Sequence, residues 1–132
     1  MKVIHTSGKR KSSVARATLY PAGSGIIRIN SLVLEHWNPG MNQLKVREPI
    51  LLAGDAASKV DIHINVCGGG VSSQAEACRL ALARALVEFD KKLEKTFLEY
   101  DRQLLVADVR RKETRKPNTH GKARSKRQKS YR

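Results

Sequence analysis

Aromatic residues are scarce in this 132-residue chain: two Phe, three Tyr and one Trp. Any core must therefore rest on aliphatic side chains. Leu, Ile, Val and Ala suffice for one small domain, and the length excludes two ordinary ones. Long apolar runs are missing as well. No stretch approaches the roughly 20 residues that a bilayer span needs. The opening residues carry one lysine and no apolar stretch after it, which is not the pattern of a signal peptide. The expectation is a cytoplasmic protein with no membrane partner. Cysteine is limited to Cys67 and Cys78, which form no CxxC pair, fit a reducing compartment and are expected as small core-filling residues. His5, His36, His63 and His120 have no ligand-like spacing to one another or to the cysteines, so no metal site is expected. No nucleophile-elbow pattern accompanies serine, histidine and aspartate. Neither catalysis nor a cofactor is expected.

Acidic residues are few, and this shortage is the most telling one. Against 26 Lys and Arg stand 12 Asp and Glu, a net charge of +14. Such an excess destabilises the compact state by self-repulsion, and a polyanion is the usual partner that relieves it. The charge is also unevenly placed. Residues 110–132 hold eleven Lys and Arg and one acid, Glu113, so they carry +10 while residues 1–109 carry +4. The chain reads as a nearly balanced globular domain over 1–109 and a basic tail over 110–132. The tail has no apolar periodicity after Val109. It cannot bury enough surface to offset its ordering entropy and is expected to be extended, and disordered when alone in solution.

The body reads as α+β, with about four strands and two longer helices on one face. Residues 14–20 alternate, with Ala15, Ala17 and Leu19 opposite Arg16, Thr18 and Tyr20, the period of a half-buried strand. A turn over Pro21–Gly25 then leads to a second alternating run, Ile26–Asn30, so the two are expected to form a hairpin. Lys2–Thr6 is expected to pair as another strand across a basic loop, Gly8–Lys11. Ser31–Trp37 suggests a short helix stopped by Asn38-Pro39-Gly40. Met41–Val46 suggests a second, ending near Pro49 because the residue before proline resists helical dihedrals. Val60–Val66 is the clearest strand. Gly68-Gly69-Gly70 opens the strongest helix, with Ser73 and Glu76 spaced as a capping box and Val71, Ala75, Cys78, Leu82, Ala85, Leu86 and Phe89 on one face. Lys91–Tyr100 follows as a helix with Leu93, Phe97 and Tyr100 on its apolar side. Leu104-Leu105-Val106 fits helix or strand.

Three segments carry candidate chemistry. In the tail, Arg110, Arg111, Lys112, Arg115, Lys116, Lys122, Arg124, Lys126 and Arg127 suit an arm threading between RNA helices. Arg forks grip phosphates, Lys adds point charges, and Gly and Ser let the backbone follow an irregular surface. A solvated polybasic extension or a localisation signal is the plainer reading. Lys9, Arg10 and Lys11 repel one another at a turn unless an anion is near, and Arg16 and Arg28 extend that basic surface through the hairpin. Gly68–Gly70 offers free N–H groups at a helix start. It matches neither the Walker pattern nor GxGxxG, though it resembles the phosphate loop of galactokinase-type kinases. A tight turn, RNA contact and nucleotide binding all remain open there.

Taken in order, GKRKSSVARA (Gly8–Ala17), GSGIIRIN (Gly23–Asn30), VREP (Val46–Pro49), CGGGVSSQAEACRLALARAL (Cys67–Leu86) and GKARSKRQKSYR (Gly121–Arg132) resemble one family. It is the family of the universal ninth protein of the small ribosomal subunit, and the ending QKSYR looks like its archaeal and eukaryotic branch. The resemblance spans essentially the whole chain. It implies the fold of the second domain of ribosomal protein S-five, with a left-handed βαβ crossover that breaks the usual right-handed rule. It implies a non-enzymatic protein that binds ribosomal RNA in the head of the small subunit among neighbouring ribosomal proteins. It also implies that the tail tip reaches the anticodon stem-loop of transfer RNA in the P site, a contact falling on Lys129, Ser130, Tyr131 and Arg132. The segment Lys116-Pro117-Asn118-Thr119-His120 departs from the family's glycine-rich or charged pattern. Two other classes stay open. An RNA nuclease or its cofactor would show metal-dependent cleavage, although no carboxylate cluster supports one. A free-standing RNA chaperone or assembly factor would leave the ribosome in high salt.

Overall fold

The computed structural model describes residues 2–124, 126, 130 and 131. The clearest sequence pattern carries the middle of the sheet. Strand β2 (Ser13–Pro21) buries Ala15, Ala17 and Leu19, and strand β5 (Val60–Cys67) buries Val60, Ile62, Ile64 and Val66. These two pair antiparallel along eight positions, from Val14↔Cys67 to Pro21↔Val60. Strand β1 (Ile4–Arg10) lies outside β2, while β3 (Ile27–Ile29) runs parallel to β5 and carries β4 (Leu32–Val33) on its far side. The order is β1-β2-β5-β3-β4, five strands among the described residues rather than about four.

The expected hairpin between β2 and the following strand does not form, because β5 lies between them. The reason is visible in the turn. Gly23 N–H donates to Lys59 O at 2.9 Å, and the Asp61 carboxylate accepts N–H groups of Ser24 and Ile26 at 2.8 and 2.9 Å. These bonds tie the turn to the start of β5, and an eight-pair ladder outcompetes a short local one. The basic segment also differs from expectation. Gly8, Lys9 and Arg10 belong to β1, and only Lys11 and Ser12 make the turn, with Lys11 at φ +51°. Ser31–Trp37 is not a helix. Asn30 and Ser31, at φ +48° and +73°, form a two-residue hairpin turn into β4, the geometry such turns favour and asparagine tolerates. A 3₁₀ turn at Leu34–His36 follows.

Helix α1 (Met41–Ala53) runs 13 residues, straight through Pro49. An interior proline forgoes one backbone hydrogen bond, but this ring is fully buried and α1 packs along α2. Tertiary packing outweighs the local preference. Helix α2 (Val71–Phe89) has 19 residues and is buried on more than the one expected face, with Ala77, Leu80, Ala81 and Ala83 also inside. It packs on β1 and β2 and touches α1 and α3 (Leu93–Tyr100) alongside. The anticipated capping box is absent. Gly70 is the N-cap, and Ser73 sits inside the helix. Val71 is instead exposed, as is Tyr100, while Phe97 is wholly buried. Leu104 ends a 3₁₀ turn, Arg102–Leu104, and is buried. Of the cysteines, Cys78 is in the core, where burial pushes its thiol up to about 12. Cys67 is exposed, contrary to expectation, because it falls on the outer parity of β5.

Among the described residues, the helices thus cover one face of the sheet, and the other face stays open. Gly8 sets how closely α2 approaches β1. A Cβ there would lie 2.3 Å from Ala77 O and 2.7 Å from Ala81 N, and the neighbouring Thr6 hydroxyl donates to Ala81 O at 2.8 Å.

Candidate nucleic-acid interface

Strand parity sorts the basic segment of β1. Thr6, Gly8 and Arg10 point toward α2, so His5, Ser7 and Lys9 point toward the open face. The turn then carries Lys11 outward beside the first residues of the tail. Lys9, Lys11, Ser12, Arg110, Arg111 and Lys112 line a groove of about 920 Å³. Among the described residues, no carboxylate lines it. Among the described residues, Lys9, Lys11, Arg111 and Lys112 have no acidic partner within ion-pair distance. Two motifs a hundred positions apart in sequence therefore form one anion-accepting surface.

Arg10 has a different surrounding. Its Nε donates to Glu76 at 2.6 Å, and its other end pairs with Asp108. Lys45 reaches Glu76 at 3.2 Å, and Arg79 pairs with Glu48 and Asp101 alongside. Asp108 also accepts from the Arg110 backbone and guanidinium at 2.8 and 2.7 Å. Those Arg110 bonds, with the charge of Arg10, hold the Asp108 carboxyl well below the usual carboxylate range. Burial acts to raise Glu76, but hydrogen bonds from Arg10 and Lys45 outweigh it and keep that carboxyl below its ordinary value. Asp108 belongs to no motif in the sequence; the signal that marks it is its position, the last acid before a run of cations.

The glycine loop packs against the β1–β2 turn. Gly68 and Gly69 take φ +76° and +65°, and a Cβ on Gly69 would lie 2.1 Å from Ser13 Oγ. The Ser13 hydroxyl, fully buried, donates to Gly68 O at 2.9 Å, and Gln74 donates to the same oxygen at 3.1 Å. Close packing thus accounts for Gly68 and Gly69, while Gly70 is exposed with open space around its Cα. Arg16 and Arg28 are exposed on the open sheet face, opposite Asn65 and His63 of β5.

Part of the tail is not extended. Lys116 N–H donates to Lys122 O, and Thr119 bridges to Lys126, so the chain turns back at Pro117–Asn118. Glu113 closes the turn, accepting from Arg124 at 3.0 Å with Lys116 at 3.7 Å. The Arg124 bond draws the Glu113 carboxyl below its ordinary value. Arg115 and Lys122 are exposed, as are Ser130 and Tyr131. Arg127, Lys129 and Arg132 lie outside the described residues. Among the described residues, no three His, Cys, Asp or Glu side chains gather in a way that could hold a metal ion, and no helix is long and apolar enough to cross a membrane.

The family model for "Ribosomal protein S9/S16" matches residues 8–132. Small ribosomal subunit protein uS9 of Methanococcus maripaludis (strain C7) is 53% identical, with all of both chains covered. The proteins of the same name from Methanococcus vannielii and Methanothrix thermoacetophila are 49% and 48% identical, again over the full length of each. The segments that carried the resemblance lie within these matches, and the relatives are archaeal, as the ending QKSYR suggested. The chain belongs to the ribosomal protein S9/S16 family.

Proposed function

We propose that this protein is a structural constituent of the small ribosomal subunit, holding ribosomal RNA in the subunit head and reaching P-site transfer RNA with its tail. Membership of a ribosomal protein family makes it a non-enzymatic component of the ribosome, with ribosomal RNA and other ribosomal proteins as its partners. The finer reading rests on one observation, the groove in which Lys9 and Lys11 meet Arg110, Arg111 and Lys112 with no carboxylate among its lining residues. Phosphate contacts of this kind position a protein on RNA without reading sequence. In this reading residues 1–109 are the RNA-anchored body. Residues 110–132 are the arm that carries Arg115, Lys116, Lys122, Arg124, Lys126 and Arg127 along the RNA. Lys129, Ser130, Tyr131 and Arg132 then meet the anticodon stem-loop. Arg16 and Arg28 add contacts from the sheet, and the exposed Gly70 brings the start of α2 near the backbone. The parallel pair β3 and β5, joined through α1, is the unit to which the family resemblance assigns a left-handed crossover of the S-five second-domain type.

Salt-dependent binding of the full chain to small-subunit RNA tests the reading. Each neutralised phosphate contributes about −0.9 to the log–log slope on a B-form duplex and about −0.7 on single strands, so groove and tail together should give a slope on the order of −6 or steeper. A slope near −1 would overturn phosphate gripping as the mode of binding.

A further inference from the structure

The open face of the sheet carries mostly polar residues and one ordered aromatic pair. Its outward positions are occupied in rows across the strands. Arg16 stands opposite Asn65, and Thr18, His63 and Arg28 stand side by side. One step further along β2, Tyr20 lies opposite Asp61, near the outward Ile26, whose O accepts from Ile62 N–H at 2.9 Å. The Tyr20 and His63 rings meet edge to face, with centroids 5.3 Å apart and planes at 68°. That contact fixes both rings in a preferred aromatic geometry. Tyr20 remains 43% exposed and Ile26 41% exposed. In a chain with six aromatic residues, whose Trp37 and Phe97 are buried, this ordered pair leaves an exposed ring surface on the sheet against which a planar group can stack.

Charge narrows the choice of partner. Among the outward strand residues, Lys9, Arg16 and Arg28 are cations, and Asp61 is the acid. The Asp61 carboxylate is already engaged by the N–H groups of Ser24 and Ile26. The face therefore presents ring surfaces flanked by guanidinium groups whose columns are two strand spacings apart, about 10 Å. A single-stranded RNA segment needs this combination. Its unpaired base stacks on an aromatic side chain while its phosphates meet cations on either side. We infer that Tyr20 and His63 form a stacking platform for an unpaired RNA base, with Arg28 and Arg16 holding the adjoining phosphates. His5 stands on the same face and is oriented by a 3.2 Å hydrogen bond with the Thr18 hydroxyl. This site is separate from the tail groove, although it rests on the RNA-binding reading above.

The test compares two probes of equal charge, a six-nucleotide oligoadenylate and a ribose-phosphate hexamer without bases. Each is titrated onto the full-length chain at matched salt. The wild-type chain should prefer the oligoadenylate by about tenfold, the range of one stacked base. The double variant Tyr20→Ser/His63→Ser should lose that preference while binding the abasic hexamer unchanged. The variant Tyr20→Phe/His63→Phe, which keeps both ring faces, should retain it, and so should Tyr131→Ser, which removes an exposed ring of the tail. Equal affinity of the wild-type chain for the two hexamers would overturn the platform and leave this face to a neighbouring protein. A preference that survives Tyr20→Ser/His63→Ser would also overturn it, by placing the stacking elsewhere. Failure of the groove reading looks different, because it shows as a shallow salt slope with both probes.

Discussion

Arg10 on β1 and Asp108 at the root of the tail form an ion pair across 98 positions of sequence. The same guanidinium holds Glu76 on α2, so one side chain joins the sheet, the central helix and the start of the basic arm. The Arg10 side chain is 19% exposed and that of Asp108 11%, while Glu76 is 33% exposed, so the clamp is only partly shielded from water. The groove cations lie immediately beside it, and the direction in which the tail leaves the body is set here.

Replacing Arg10 with Ala should therefore act on stability before it acts on RNA. It strips a partner from two carboxylates, and the melting temperature should fall by roughly 5 °C or more. The salt slope for RNA binding should stay within error of wild type. A slope that became shallower by about 0.9 would instead mean that Arg10 itself neutralises a phosphate.

Acid should release the same clamp. Glu76 and Asp108 both have folded-state values lowered from 4.5 and 3.8, so their contribution is complete above those values and is lost as pH falls below them. Unfolding monitored by circular dichroism should show stability falling as pH drops below about 4.5. Asp108→Asn should be less stable at neutral pH and lose less on acidification. An unchanged acid limb in that variant would remove Asp108 from the linkage.

The groove can be tested by charge alone. In the triple variant Lys11→Ala/Arg111→Ala/Lys112→Ala, the log–log salt slope should become shallower by about 2–3, since each lost phosphate contact removes about 0.9. The melting temperature should not fall, because like charges facing one another repel. An unaltered slope would show that these cations do not touch RNA.

Gly69 and Gly70 should respond differently to substitution. Gly69→Val meets Ser13 Oγ and places a β-branched residue at φ +65°, so it should cost about 1–3 kcal/mol in backbone strain before the clash is counted. Gly70→Ala points into open space at φ −97° and should stay within about 0.5 kcal/mol of wild type. Chemical denaturation of both variants checks the contrast.

Deleting residues 129–132 should leave subunit assembly nearly intact, since the body and most tail charge remain. It should weaken P-site transfer RNA binding by about 1–3 kcal/mol through the loss of one or two charge-assisted hydrogen bonds. Filter binding to subunits carrying the truncated protein measures this. Equal affinity at matched salt would make the tip a structural anchor only.

Local periodicity carried a large part of the architecture. The alternation at Ala15, Ala17 and Leu19 and at Val60, Ile62, Ile64 and Val66 marked β2 and β5, because a half-buried strand repeats every two residues wherever its partner lies. The run behind Gly68–Gly70 marked α2 in the same way, and the excess of Lys and Arg pointed to a polyanion without reference to any fold. Which strands are neighbours was decided by competition between distant segments. β5 entered between β2 and β3 since it offers eight paired positions, and Asp61 drew the Pro21–Gly25 turn toward it. Pro49 stayed inside α1 because burial against α2 outweighed one lost hydrogen bond. The candidate site divides along the same line. Each cation in it could be read from sequence, but strand parity and the arrival of Glu76 and Asp108 separated Arg10, which braces the tail, from Lys9 and Lys11, which face the groove. Short-range patterns record how a residue sits on its own element. Its partners depend on contacts made across the whole chain, and those exist only once the tertiary structure has formed.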